Sequence, residues 1–163
     1  MSSPKGYTAT QIGLHWIVAV LVMLQLIFGE EIGAAYRSLR QTGIAGYDLM
    51  TILHIAVGLL ILVFALWRLM LRMRRGVPAP LRSGPKVLDR GAAAVHVLFY
   101  LLLIGVPITG LAAWFGGIES AAELHELAKP AFVLLILGHT LAALWHQFRL
   151  KDGLITRMLR PGE

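Results

Sequence analysis

The sequence predicts an all-α integral membrane protein, a four-helix bundle with both termini cytoplasmic. Three observations carry that prediction. The 163 residues are 57% apolar and only 15% charged, against about 25% charged in an ordinary soluble domain, and mean hydropathy is +0.71. That leaves too little polar surface to coat a soluble fold. Four apolar runs are each about 18–25 residues long, enough to cross roughly 30 Å of hydrocarbon at about 1.5 Å per residue. Lys and Arg, finally, are sorted between alternate connections.

The first span covers about Gln11–Phe28. It reads as a membrane helix and not a cleaved signal, because only Lys5 precedes it and the apolar run is long for that role. Gly29-x-x-x-Gly33 after it has helix-packing spacing, and Glu30–Asp48 forms the first connection. The second span is about Leu49–Met70, followed by a basic connection, Leu71–Gly91. In the third, about Ala92–Phe115, Pro107 is expected to kink the helix. A short connection, Gly116–Glu123, leads to the fourth span, about Leu124–Phe148. Basic and apolar residues alternate in Gly153–Arg160, so this tail is expected on the inner leaflet. A barrel strand would need only about 10 residues and would alternate, which disfavours a barrel. No internal repeat is visible, and residues 1–163 read as one domain.

Orientation follows from the cations. Lys5, Arg68, Arg72, Arg74, Arg75, Arg82, Lys86, Arg90, Arg149, Lys151, Arg157 and Arg160 lie on one side, and Arg37, Arg40 and Lys129 on the other. The first set is then cytoplasmic and the chain N-in/C-in, as expected of a multi-pass protein of a bacterial inner membrane. This sidedness accounts for the net charge of +6 without invoking nucleic acid. The absence of cysteine excludes disulfides, thiolate metal centres and covalently attached c-type haem.

All six histidines fall in or beside the spans: His15, His54, His96, His125, His139 and His146. Ionisable side chains are costly in a bilayer and mark functional positions. His125, His139 and His146 are 14 and 7 residues apart, which at about 100° per residue puts them on one helical stripe. By depth, His54 and His125 form an outer layer, while His15, His96, His139 and His146 form an inner one. Paired imidazoles from different helices are what a six-coordinate b-type haem requires. His125 and His139 would lie about 21 Å apart along one helix. Gly13, Gly58 and Gly138 stand near His15, His54 and His139, where small residues suit a flat macrocycle. Arg68, Arg72, Arg90 and Arg149 inside, and Arg37, Arg40 and Lys129 outside, could meet haem propionates. Lys129, one turn from His125, stands out as a partner for a propionate or an anionic substrate. A zinc or copper site would need three or four converging ligands. A metal or proton transporter using the histidine stripe is the rival reading.

Several short segments, in order along nearly the whole chain, resemble the bacterial cytochrome b561 family, four-helix di-haem b proteins of the inner membrane. They are Leu14-His15-Trp16, Ile52–Gly58 around His54, Arg68, Val95-His96 with Tyr100, Pro107-Ile108-Thr109-Gly110, Leu124-His125-Glu126, Gly138-His139 and His146. The resemblance implies two haems b per chain, one between His54 and His125 and the other between His15 and His139. His96, His146, Arg68 and Lys129 then remain as supporting, quinone-side or propionate contacts. It also implies electron transfer to ubiquinone, in some members from superoxide at the outer face. Related subunits anchor larger respiratory enzymes, which is an alternative role. The short connection Gly116–Glu123 differs from the longer loop of superoxide-oxidising members. Arg37, Arg40 and Lys129 could focus an anionic donor, and His96, His146, Asp89 or Glu30 could supply protons for quinone reduction.

Overall fold

The computed structural model describes residues 4, 6–29, 32–79 and 86–162, with only the backbone of 86–88. Lys5, Glu30, Glu31 and Arg82, and the side chain of Lys86, lie outside the described residues. Within them the chain forms five α-helices and no strand: α1 Ala9–Phe28, α2 Ile32–Thr42, α3 Leu49–Arg75, α4 Lys86–Gly116 and α5 Glu119–Trp145. A π-helical turn, His146–Leu150, prolongs α5, and a 3₁₀ turn follows at Thr156–Met158. Four of these segments are long and apolar enough to cross a membrane, so this is an integral membrane protein. Tyr7 and Gly162 meet at one end of the bundle, here the near end; α2 and the α4–α5 junction lie at the far end.

Local chemistry sets the helix boundaries. Thr8 and Gln11 form a reciprocal capping box on α1, with N···O distances of 3.0 and 3.3 Å. Asp48 caps α3 by accepting from the Thr51 N–H at 2.8 Å. That bond holds the exposed Asp48 carboxyl below the usual carboxylate range. Arg72, Arg74 and Arg75 occupy the last turn of α3, where the helix dipole favours cations. Gly76 then takes the left-handed φ of 75° that ends the helix.

Three boundaries differ from the sequence expectation, because helices run on past the apolar stretch wherever caps permit. The helix of the second span continues beyond Met70 to Arg75, and that of the third begins at Lys86, before Ala92. The supposed connection Gly116–Glu123 shrinks to Gly117 and Ile118, since α5 already starts at Glu119. Gly117, at φ 64°, makes that turn. The first connection holds the unforeseen helix α2. Its half-buried Ile32, Tyr36 and Leu39 recur at helical spacing, with Arg37 and Arg40 exposed beside them. At 11 residues it is too short to cross a bilayer.

The packing order matters for the site. α1 packs on α3, α3 on α4, α4 on α5, and α2 on α3. α5 makes no comparably close packing with α1 or α3, so a gap separates it from them. Val18, Val22, Ile61, Ala65, Leu103 and Phe132 form the buried core. By chain position they lie midway between the two histidine levels. Large apolar side chains such as Ile27, Leu134, Leu137 and Leu141 point outward, as in a protein whose solvent is lipid. Helix α4 continues through Pro107.

The tail is tied to the near end of the bundle. Trp16 Nε1 donates to Met158 O at 2.7 Å, and Gly162 N to Tyr7 O at 3.2 Å. Arg157 Nη1 donates to Ala79 O at 2.9 Å. Partial burial pushes the Tyr7 phenol above its ordinary pKa.

Candidate functional site

The gap between α5 and its two distant neighbours is where the histidines meet. At the far level, His54 of α3 and His125 of α5 face each other with ring centroids 5.9 Å apart and planes at 62°. His125 Nδ1 lies 2.9 Å from the carbonyl oxygen of Val106, just before Pro107. Since a carbonyl can only accept, Nδ1 carries the proton and the Nε2 lone pair is left open. The His125 ring rests on Gly110: a Cβ there would stand 2.9 Å from Cε1 and 3.0 Å from Nδ1. Gln25 of α1 donates from Nε2 to the His54 carbonyl at 2.7 Å, while His54 Nδ1 is buried without a partner among the described residues.

Around this pair opens a cavity of about 390 Å³. Gly29, Gly58, Val22, Ile61 and Phe132 line it, with Gln25, Tyr36, Arg37, Trp114, Glu126 and Lys129 supplying polar groups. Tyr36 Oη and Trp114 Nε1 are both buried without a hydrogen-bond partner among the described residues. Arg40, the third outer cation expected from the sequence, instead reaches Glu119 at 3.5 Å on the surface.

At the near level His139 has two imidazole neighbours. His15 of α1 lies 6.4 Å away across the gap with planes at 61°. His96, on the directly packed helix α4, lies 5.7 Å away at 82°. Phe99 covers His139 at 5.4 Å. Arg68 Nη2 sits 3.1 Å from His15 Nδ1; the guanidinium can only donate, so Nδ1 accepts. His96 Nδ1 lies 2.7 Å from Ala92 O in its own helix. His146 is drawn away from this group, with its Nδ1 2.6 Å from Asp152 Oδ2 beyond the π-helical turn. Among the described residues, no three His, Asp or Glu side chains converge to hold a metal ion.

Sequence reasoning missed Gln25, Tyr36 and Trp114. Gln25 had a signal, being an amide inside an apolar span. Tyr36 sits on α2, inside the first connection, where the sequence reading places no helix. Trp114 looks like an ordinary interfacial aromatic until its neighbours are known.

Four apolar spans with imidazoles paired in their interior outline a membrane-embedded cytochrome of the b type. The chain belongs to the prokaryotic cytochrome b561 family, whose model matches residues 6–161. It is 44% identical to cytochrome b562 of Cereibacter sphaeroides, over 99% of each chain. It is 34% identical to a protein of Yersinia pestis named probable superoxide oxidase, over 95% of this chain and 96% of the other. Cytochrome b561 homolog 1 of Escherichia coli is 25% identical over 94% of this chain. The protein is therefore a membrane electron-transfer protein of a family that carries haem b.

Proposed function

We propose that the chain is a di-haem superoxide:ubiquinone oxidoreductase of the bacterial inner membrane, with its near end cytoplasmic. His54 and His125 would hold one haem b, His15 and His139 the other. The observation that carries the reading is the matched geometry of two imidazole pairs across one gap, at 5.9 and 6.4 Å with planes at 62° and 61°. Two imidazole–metal bonds of about 2 Å, with half a ring at each end, give a centroid separation of about 6 Å, so both pairs fit. His96 also comes within 5.7 Å of His139, but it stands on α4, which packs directly against α5, and the family resemblance pairs His139 with His15 instead. The supporting residue is then His96, and His139 takes its partner from α1.

When bound, haem supplies a one-electron carrier at each level. The chain's own residues prepare those positions. The Val106 carbonyl holds the His125 tautomer and orientation. Ligation through His15 Nε2 requires a proton on Nδ1, where Arg68 now donates; Arg68 would turn its charge to a carboxylate at that level. Arg37 and Lys129 line the outer cavity and would draw an anionic donor toward it.

Two superoxide ions, each oxidised to dioxygen, would deliver the two electrons that convert a quinone to quinol with two protons. A second cavity of about 390 Å³ between α3 and α4 suits the quinone: Leu69, Val97, Leu101 and Ile104 are apolar, with Arg72 and Tyr100 beside them. His146 and Asp152, in contact at 2.6 Å on the near end, would be candidates to relay protons for that step. Asp89 is exposed and takes no part in these contacts.

The test is haem stoichiometry and a reduced-minus-oxidised spectrum of the purified chain, followed by a superoxide pulse with ubiquinone present. Two haems per chain and superoxide-driven quinol formation are expected. A folded, colourless protein refutes the cytochrome site. Two haems without quinol formation refute the substrate and leave the haem reading standing.

A further inference from the structure

We infer that Tyr36 Oη and Trp114 Nε1 hold the carboxylate arms of the haem at the far level; this rests on the haem reading above. The two side chains come from different elements, α2 and the last turn of α4, with rings 6.4 Å apart. Both line the cavity around His54 and His125. Both polar atoms are buried and have no hydrogen-bond partner among the described residues. The indole N–H can only donate, and the phenol donates its single proton. Buried donors are almost always paired, and the need is greatest where the surrounding lipid offers no water. Two such donors on one cavity wall mark the position of an acceptor.

The charge of that acceptor follows from the same wall. Arg37 lines it as well, which favours an anion. Glu126 also lines the cavity, yet neither donor bonds to it. A haem is an apolar disc with two carboxylates on one edge, and the cavity has the same division. Val22, Ile61 and Phe132 lie toward the core. Tyr36, Arg37 and Trp114 lie toward the far end, Trp114 being one helical turn beyond Gly110. Tyr47 packs edge-on against the Trp114 indole at 6.0 Å without lining the cavity.

The experiment uses the purified full chain with haem bound, in three variants: Tyr36→Phe, Trp114→Phe and Tyr47→Phe. Hydrogen bonds spread the carboxylate charge away from the iron and hold its proton affinity down. Losing one should lower the midpoint potential of the far-level haem and make it more pH-dependent near neutrality. It should also shift the propionate-bending band in resonance Raman spectra. The near-level haem and the Tyr47→Phe variant should be unchanged. Tyr36→Phe decides the matter even if Trp114→Phe folds poorly, because it removes one oxygen and keeps the ring. Unchanged potential, pH slope and Raman band in Tyr36→Phe overturn the inference. So does a change confined to the rate with superoxide, which would assign the donors to a free anion. A wild-type chain with no far-level haem would instead overturn the functional reading on which this one rests.

Discussion

Replacing Gly110 with alanine tests the far-level site without touching a ligand. The new Cβ would stand 2.9 Å from His125 Cε1, 3.0 Å from Nδ1 and 3.8 Å from Nε2, where ordinary contact is 3.4–4 Å. The ring or helix α4 must therefore give by about half an ångström. The ring has little freedom to do so, because its Nδ1 is tied at 2.9 Å to Val106, one turn away on the same helix. Overpacking of this kind costs about 1–3 kcal/mol. If that cost falls on the imidazole that receives the haem, affinity at the far level drops by about 5- to 150-fold. The near-level haem should be unaffected. The assay is haem titration of the purified apoprotein, read by absorbance and by resolved midpoint potentials. Gly91→Ala, where a Cβ meets nothing within 4 Å, is the control. A Gly110→Ala protein with wild-type far-level affinity and potential would refute the argument that this glycine seats His125.

Other predictions follow from the same geometry. His54→Ala and His125→Ala should each lose the far-level haem and keep the near one, giving one haem per chain by pyridine haemochrome assay; full occupancy in either variant breaks the pairing. Arg68→Gln should lower the near-level potential only, because a unit charge roughly 8 Å from the iron is worth about 2 kcal/mol at an effective dielectric of about 20, roughly 90 mV for one electron. An unmoved near-level potential in a redox titration would place the Arg68 charge elsewhere. Asp48→Asn probes the helix cap. The folded carboxyl is held below its ordinary value, so its contribution is complete above the unfolded pKa of about 3.9 and is lost as pH falls through the folded one. Melting curves in detergent should show a shallower acid dependence for Asp48→Asn; identical acid limbs would show that the cap carries no pH-dependent stability.

The four spans and the two histidine levels were legible because run length and depth are one-dimensional properties. A residue's distance from the end of its apolar stretch predicts its height in the bilayer, and His54 and His125 do meet at 5.9 Å. The near level was less legible. His15, His96, His139 and His146 share a depth range, and depth carries no information on rotation. The structure turns His146 to Asp152 and leaves His139 between two imidazoles. Glycine roles were similarly split. Gly58 lines the far-level cavity, as its place on the His54 face suggested. Gly13 and Gly138 face open space, whereas Gly110, expected only as part of a kink, stands against the His125 ring, and at Gly29, expected only as helix-packing spacing, a Cβ would stand 3.4 Å from His54 Cε1.

Sequence alone determined that this chain spans a membrane four times and carries imidazoles at two heights, since the hydrophobic effect and helix rise settle both residue by residue. Only the tertiary structure decided which helices touch and which stand apart. Lipid is as apolar as the side chains it meets, so hydrophobicity expresses no preference between neighbours in a bilayer. The gap beside α5, the seat of His125 on Gly110, and the unpaired donors of Tyr36 and Trp114 all arise from contacts between helices distant in sequence.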